Sequence, residues 1–414
     1  MNQYSKRRSR LLETLPENAV VILFAGKAPM RSEDEAYEFS INRNFYYLTG
    51  LDKENMVLVM YRLDGTSGEY LFIPPYDEKM ARWVGGRMLK EEAAAVSEIK
   101  KVEDVGDLDS FVASLLNRNR RNPDFTMFFD FWHYEFDQSL SLAQRYANKL
   151  KENYPALAFK DVYPALAKMR LVKDEQELES IRKAIHITNN GILKMMKSAK
   201  PGMNEMTLEG IFSFVLAQML CHRTAFGTIA AGGKRATILH YHDNNQVIND
   251  NELFLCDLGA TSDYYCADIS RTFPINGHFS DRQKEIYQLV RNAQKIVEAN
   301  AKPGVKFKDL NQMVIDYYKQ ELPKHGLNEA VSEYYFHSCG HHLGLDTHDI
   351  DGAHGSASEF GLSNQRSLCS SKASPGEDKQ YEKGLDPLCG FFLYSHLYLP
   401  LLGFFFFLYI FFIL

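Results

Sequence analysis

Residues 252–274, ELFLCDLGATSDYYCADISRTFP, constrain the fold more tightly than any other stretch of this 414-residue chain. Two apolar, β-rich arms flank Ala260-Thr261-Ser262-Asp263, a cluster of small, turn-prone residues, and the pattern predicts an antiparallel hairpin. With the turn centred between Ser262 and Asp263, Asp257 lies directly opposite Asp268 on one face, their Cβ atoms about 4.5–5.5 Å apart. Two bare carboxylates at that separation repel by about 3 kcal/mol at an effective dielectric of roughly 20. Leu253 and Leu255 share the face of Asp257, and Phe254, Cys256 and Leu258 occupy the other, as in a strand buried on both sides. Proton sharing, an adjacent Arg or a divalent metal can each neutralise the pair. The apolar faces favour a hard-cation site over an Asp268–Arg271 pair on a solvated face.

The length exceeds what one ordinary core accommodates, which sets two domains as the expectation. A net charge of −6 argues against a nucleic-acid partner. The six cysteines form no C-x-x-C pair, so neither a disulfide framework nor a structural zinc knuckle is implied, and a reducing, cytoplasmic compartment fits. The N-terminus, MNQYSKRRSRLLETLPENA, is basic but has no apolar core or small-residue cleavage site of a secretory signal.

Residues 19–25, 56–62, 69–73 and 126–131 are short apolar runs suited to buried strands. Residues 90–96 and 108–116 have helical periodicity. The segment Phe45-Tyr46-Tyr47-Leu48-Thr49-Gly50 is aromatic and ends in a turn. This alternation predicts an α/β domain over residues 1–165. Beyond it, the acidic run 174–177 opens a long helix with Leu178, Ile181, Ile185, Ile192 and Met196 on one face, closed by Pro201-Gly202. A second helix is expected over 205–220. Ser280-Asp281-Arg282-Gln283 reads as a capping box that starts another, running to about 301, and residues 310–322 form one more.

Histidine patterning adds the second chemical signal. Four of the thirteen histidines lie between positions 337 and 348. His337 and His341 share a face in either a helix or a strand, since a separation of four suits both periods. Gly340 and Gly344 disfavour a regular helix and point to a crowded backbone. One imidazole joining two carboxylates makes a ligand set suited to Mn²⁺ or Zn²⁺. His240, in the run ILHYHDNN, gains interest from this context.

Together, Ile238-Leu239-His240-Tyr241, the run CDLGATSDYYCADISRTFPINGHFS and the run HHLGLDTHD at 341–349 resemble the motifs of the pita-bread metallopeptidases, and among these the Xaa-Pro aminopeptidases. Asn44-Phe45-Tyr46-Tyr47-Leu48-Thr49-Gly50 resembles their N-terminal domain, and the likeness covers roughly residues 1–352. The resemblance implies an α/β N-terminal domain followed by an α+β pita-bread catalytic domain over 166–352. It also implies two Mn²⁺ ions or other divalent metals, with Asp257 ligating one, Asp268 bridging both and His341 ligating the second. His240, His337 and His348 would line the substrate side and steady the tetrahedral intermediate. The implied substrates are peptides with proline in second position, cleaved by two-metal hydrolysis in a homo-oligomer. A dipeptide-only prolidase and an inactive peptide-binding module are the alternatives.

The sequence departs from that family near Gly352. The family completes its site with two glutamates, one in an E-P-G strand, and neither is found downstream: Glu377 follows rather than precedes Pro375-Gly376, and Glu359 and Glu382 lie in featureless polar sequence. The catalytic domain is therefore expected to be C-terminally incomplete and impaired. Residues 353–390 read as a disordered linker. Residues 391–414, FFLYSHLYLPLLGFFFFLYIFFIL, are uncharged and long enough to span a bilayer. This tail is either a membrane anchor or out-of-frame sequence.

Overall fold

The structure is a computed structural model that describes residues 1–302 and 304–350 together with the backbone of 404–406. The expected linker at 353–390 lies outside the described residues. So does the apolar tail, apart from Phe404–Phe406, which form a short strand. No helix among the described residues is long and apolar enough to cross a membrane. The chain divides into two compact units, Met1–Met169 and a second beginning at Arg170.

The first unit is built on a mixed six-stranded sheet of β1 (Ala19–Phe24), β2 (Val57–Leu63), β3 (Thr66–Ile73), β4 (Val102–Asp104), β5 (Thr126–Phe129) and β6 (Ala158–Asp161), in the order β4-β3-β2-β1-β5-β6. β1 is central and fully paired, antiparallel to β2 and parallel to β5. That explains why its sequence, AVVILF, has no polar alternation. Val20, Ile22, Val59 and Phe129 pack with Leu108, Val112 and Leu116 of the Leu108–Asn119 helix and Ala147 and Leu150 of the Leu142–Asn153 helix. The aromatic segment expected to end in a turn is a buried helix, Arg43–Thr49. Asn42 caps its start by accepting from the Phe45 amide, and Gly50, at φ 70°, ends it in the left-handed conformation.

In the second unit, Asp174 and Glu177 form a reciprocal capping box that starts the Glu175–Ser198 helix. Gly191 lets this helix approach the Glu205–Gln218 helix, since a Cβ there would run into the Phe212 ring. Among the described residues, the unit's main sheet has three strands in the order β11-β8-β7, where β7 is Ile229–Gly232, β8 is Leu253–Leu258 and β11 is Ile269–Pro274. Between β8 and β11 the chain forms a small tip ladder of β9 (Thr261–Ser262) and β10 (Tyr265–Cys266). The expected capping box at Ser280 starts the Asp281–Asn300 helix. That helix shares a core with the Phe307–Glu321 helix around Leu289, Ala293, Val297, Leu310 and Val314.

The hairpin exists, but its register differs from the expected one. Asp257 is paired with Ser270, not Asp268, and Leu258 with Ile269. The tip turns at Asp263 and Tyr264, both with positive φ (51° and 66°), one position later than expected. The two left-handed residues in a two-residue loop make a type I′ turn, whose twist matches the strands it joins. The ladder is interrupted at Ala267-Asp268, opposite Gly259-Ala260. Asp268 keeps the parity of Ser270, so it is the diagonal neighbour of Asp257 on the same face. Arg271, of opposite parity, pairs with Cys256 and belongs to the other face.

Gly259 makes the interruption possible, because a Cβ at this position would collide with the Ala267 carbonyl. Gly259→Ala is expected to cost about 3 kcal/mol through this enforced overlap. Urea unfolding of the second unit, compared with the parent chain, measures it; an unchanged midpoint would mean that the crossing relaxes freely.

Candidate metal centre

Asp257 and Asp268 sit at the floor of a cavity of about 430 Å³, which His240, His337, His341 and His348 also line. All six residues singled out in the sequence therefore meet at one place, from three segments that together span more than a hundred positions. Apolar wall comes from Phe226, Ile229 and Leu239, and Ala225, Gly227, His242 and Thr347 complete the lining. Ile229 belongs because β7 pairs it with Asp257 on the strand side opposite Ser270. The sequence carried no signal for Phe226 or Thr347, which lie in irregular segments without period. His242 was visible only as the second histidine of the His240 run.

The two carboxylates are held in contrasting ways. Asp257 accepts a 2.8 Å hydrogen bond from Ser270 Oγ, its cross-strand partner. Asp268 is 3 % exposed, and among the described residues its Oδ1 has no hydrogen-bond donor; the group near enough to share a proton with it is Asp257, another acid. Burial first, and the Asp257 charge second, push the Asp268 pKa well above the usual carboxylate range.

His341 follows from β12 (Gly340–His342), which pairs antiparallel with β13 (Phe404–Phe406). Its Nδ1 lies 2.8 Å from the His342 carbonyl. A carbonyl only accepts, so Nδ1 carries the proton and Nε2 is a lone pair. That lone pair faces Asp268 Oδ2 at 3.2 Å. Burial lowers the His341 pKa to about 4, so the ring is neutral at pH 7 and supplies no cation to Asp268. The His348 ring lies 4.1 Å from the His341 ring. Burial, followed by the neighbouring His337 and His240, lowers its pKa as well. Donor atoms of Asp268, His341 and His348 all fall within 4.8 Å of one another. Asp257 is outside that tight group though beside it.

Buried polar groups hold the loops that deliver these side chains. The segment carrying His240 wraps around Glu205, a fully buried carboxylate at the start of its helix. Glu205 accepts from the Gly232 amide at 2.7 Å, Arg235 Nε at 2.6 Å, Tyr241 Oη at 2.8 Å and the Gln246 amide at 3.0 Å. Sequence reading assigned Glu205 no role beyond opening a helix. The hairpin leans on the Glu175–Ser198 helix: Thr188 Oγ1 accepts from the Ala260 amide at 2.9 Å, and Tyr265 Oη donates to Glu177 at 3.0 Å. Ahead of His337, Asn311 Oδ1 accepts from Tyr335 Oη at 2.6 Å and from the Cys339 amide at 3.0 Å.

Comparisons with known proteins identify the family. Residues 179–371 match the model of metallopeptidase family M24, and residues 4–122 match the aminopeptidase P N-terminal domain. The chain is 30% identical to intermediate cleaving peptidase 55 of Schizosaccharomyces pombe, over 84% of this chain and 72% of that protein. It is 29% identical to the Xaa-Pro aminopeptidase of Haemophilus influenzae, over 84% of this chain and 80% of that one. Among solved structures, a Bacillus anthracis protein described as an aminopeptidase P superposes with a TM-score of 0.82 at 39% identity, covering 84% of this chain and 83% of that one. A zinc-substituted Escherichia coli aminopeptidase P in complex with product gives a TM-score of 0.77 at 25% identity, covering 86% and 83%. An α/β N-terminal domain, a pita-bread catalytic domain and this clustering of acids and imidazoles thus converge, and the chain belongs to the aminopeptidase P family of M24 metallopeptidases.

Proposed function

We propose that this chain is a metal-dependent aminopeptidase that removes the first residue from peptides with proline in second position. One observation carries the metal dependence: two lone pairs, Asp268 Oδ2 and His341 Nε2, face each other at 3.2 Å, with the carboxylate buried and the imidazole partly so. With no cation between them, a proton taken up by Asp268 relieves the contact, and this fits its raised pKa. A divalent ion relieves it and also satisfies the donor-free Oδ1 of Asp268. Asp257, Asp268 and His341 would hold that ion, and two carboxylate oxygens with one imidazole suit Mn²⁺.

When bound, such an ion polarises the scissile carbonyl and lowers the pKa of the attacking water. The chain's own groups supply the rest. The apolar wall of Phe226, Ile229 and Leu239 suits a pyrrolidine ring, which has no N–H to satisfy. His348 is kept neutral by its lowered pKa and can donate one N–H to the oxyanion that forms on the carbonyl. His337 donates from Nδ1 to the Ser338 carbonyl at 2.9 Å, which orients its ring in the cavity lining. His240, exposed at the rim, completes the substrate side.

The three family-type donors carry charge for one dication rather than two. The chain as it stands should therefore bind a single Mn²⁺ weakly and turn over slowly. Metal analysis after dialysis, with mass spectrometry of peptides differing only in Pro or Ala at the second position, tests this. Trimming confined to the proline peptides is expected; equal trimming of both, or of neither, overturns the assignment. Asp268→Asn should abolish both metal retention and trimming. His348→Ala should slow trimming with metal kept, and equal metal loss in both variants would make His348 a ligand instead.

A further outcome concerns the metal-free protein. Because the folded pKa of Asp268 is raised above its unfolded value of about 3.9, its contribution to stability is fully present below about pH 4 and is lost as pH rises through the folded value. In chelator at pH 7, Asp268→Asn is therefore expected to melt at a higher temperature than the parent, with the gap closing towards pH 4. A lower melting temperature at pH 7 would mean that Asp268 is not the charge-burdened member of the pair.

A further inference from the structure

The loop between His341 and Asp349 ends on a buried cluster of charge. Asp349 Oδ1 accepts from Arg170 at 2.6 Å and Oδ2 from Lys173 at 2.8 Å. All three side chains are essentially buried. Arg170 also pairs with the half-exposed Asp346 at 3.0 Å, and Lys173 donates to the Arg170 carbonyl at 2.7 Å. Two cations and two anions thus balance. The same segment is tied at the backbone: the Asp349 amide donates to the His342 carbonyl at 3.1 Å, and the Cys266 amide donates to the Gly344 carbonyl at 2.8 Å. Gly344 is needed because a Cβ there would strike the Asp349 carboxylate and Lys173.

His348 stands next to this anchor. Its ring is exposed and makes no hydrogen bond among the described residues, so its place is inherited from the backbone on either side. On one side Thr347 Oγ1 donates to the Ala225 carbonyl at 3.2 Å; on the other is Asp349. We propose that Asp349, clamped by Arg170 and Lys173, is a positioning residue that sets the His348 ring against the His341 ring. Neither Arg170 nor Lys173 lines the cavity, so the clamp acts through the loop and not on substrate. Its catalytic consequence rests on the aminopeptidase reading given above; its geometric consequence does not.

Asp349→Asn tests the clamp, since it keeps size and removes the charge that binds two cations. Two readouts are taken on the full chain. In the first, cleavage of a proline peptide is expected to lose on the order of 100-fold in kcat, the scale of an ångström-sized misplacement, with KM little changed. In the second, ¹³C-histidine NMR of the metal-free protein is expected to lose the nuclear Overhauser contact between the two rings, whose centroids are 4.1 Å apart. Ser280→Ala, a helix-cap change outside the cavity, controls for general loss of stability and should move neither readout. If Asp349→Asn does not fold, Lys173→Gln, which keeps a donor, carries the same measurements, and Lys173→Arg should restore the parent values. A ring contact that survives in folded Asp349→Asn or Lys173→Gln overturns the proposal. A parent chain without peptidase activity refutes the functional reading alone, and the ring contact then decides.

Discussion

A carboxylate buried against a second carboxylate and an imidazole lone pair repels both, and the catalytic unit is arranged to hold that unfavourable contact in place. Asp268 sits where the hairpin ladder is interrupted, so its backbone is not locked to a cross-strand partner. The Glu175–Ser198 helix restrains the hairpin from outside through Thr188 and Glu177. Asp257 occupies the central strand, paired on both edges, and cannot retreat. Strain of this kind persists only where the surroundings over-determine it.

Two other buried acids serve the opposite purpose. Glu205 and Asp349 each face donors on both carboxylate oxygens, and each fixes an irregular segment that brings histidines to the cavity. Burial works against the Asp349 charge, but Lys173 and Arg170 together hold its pKa at about 2, far from that of Asp268. The chain thus sorts its buried carboxylates by what faces them: donors where a loop must be fixed, lone pairs where a cation is to be received.

Much of this was legible in the sequence. The apolar arms around Asp257, the helical stripes from Leu178 to Met196, the acidic opening of that helix at 174–177, the capping box at Ser280 and the histidine cluster all announced themselves through period or spacing. The register did not, because the turn is not made by the small residues. Tyr264, an aromatic with no preference for left-handed backbone, is held there by the Arg223 guanidinium, which hydrogen-bonds its hydroxyl and stacks 5.0 Å from its ring centre. No local propensity reveals such a tertiary clamp. The helix at Arg43–Thr49 was obscured for a related reason: its aromatic residues have poor helix propensity, and burial of every side chain from Asn44 to Thr49 overrides it. Glu205 was invisible because nothing near it in sequence is its partner, apart from the acid's place in a first turn.

The two-residue tip at Asp263-Tyr264 gives the hairpin a parity. Side chains alternate faces along each arm, so the face on which Asp268 emerges depends on whether the count around the tip is even or odd. Losing or gaining one residue there would turn Asp268 towards the side of Arg271 and leave the rest of the hairpin intact, whereas a change of two would return it to Asp257. Length variation between these two acids is therefore quantised. A descendant of this chain can lengthen its tip in pairs of residues, or with a compensating bulge, and keep a metal centre; a single-residue step separates the carboxylates at once.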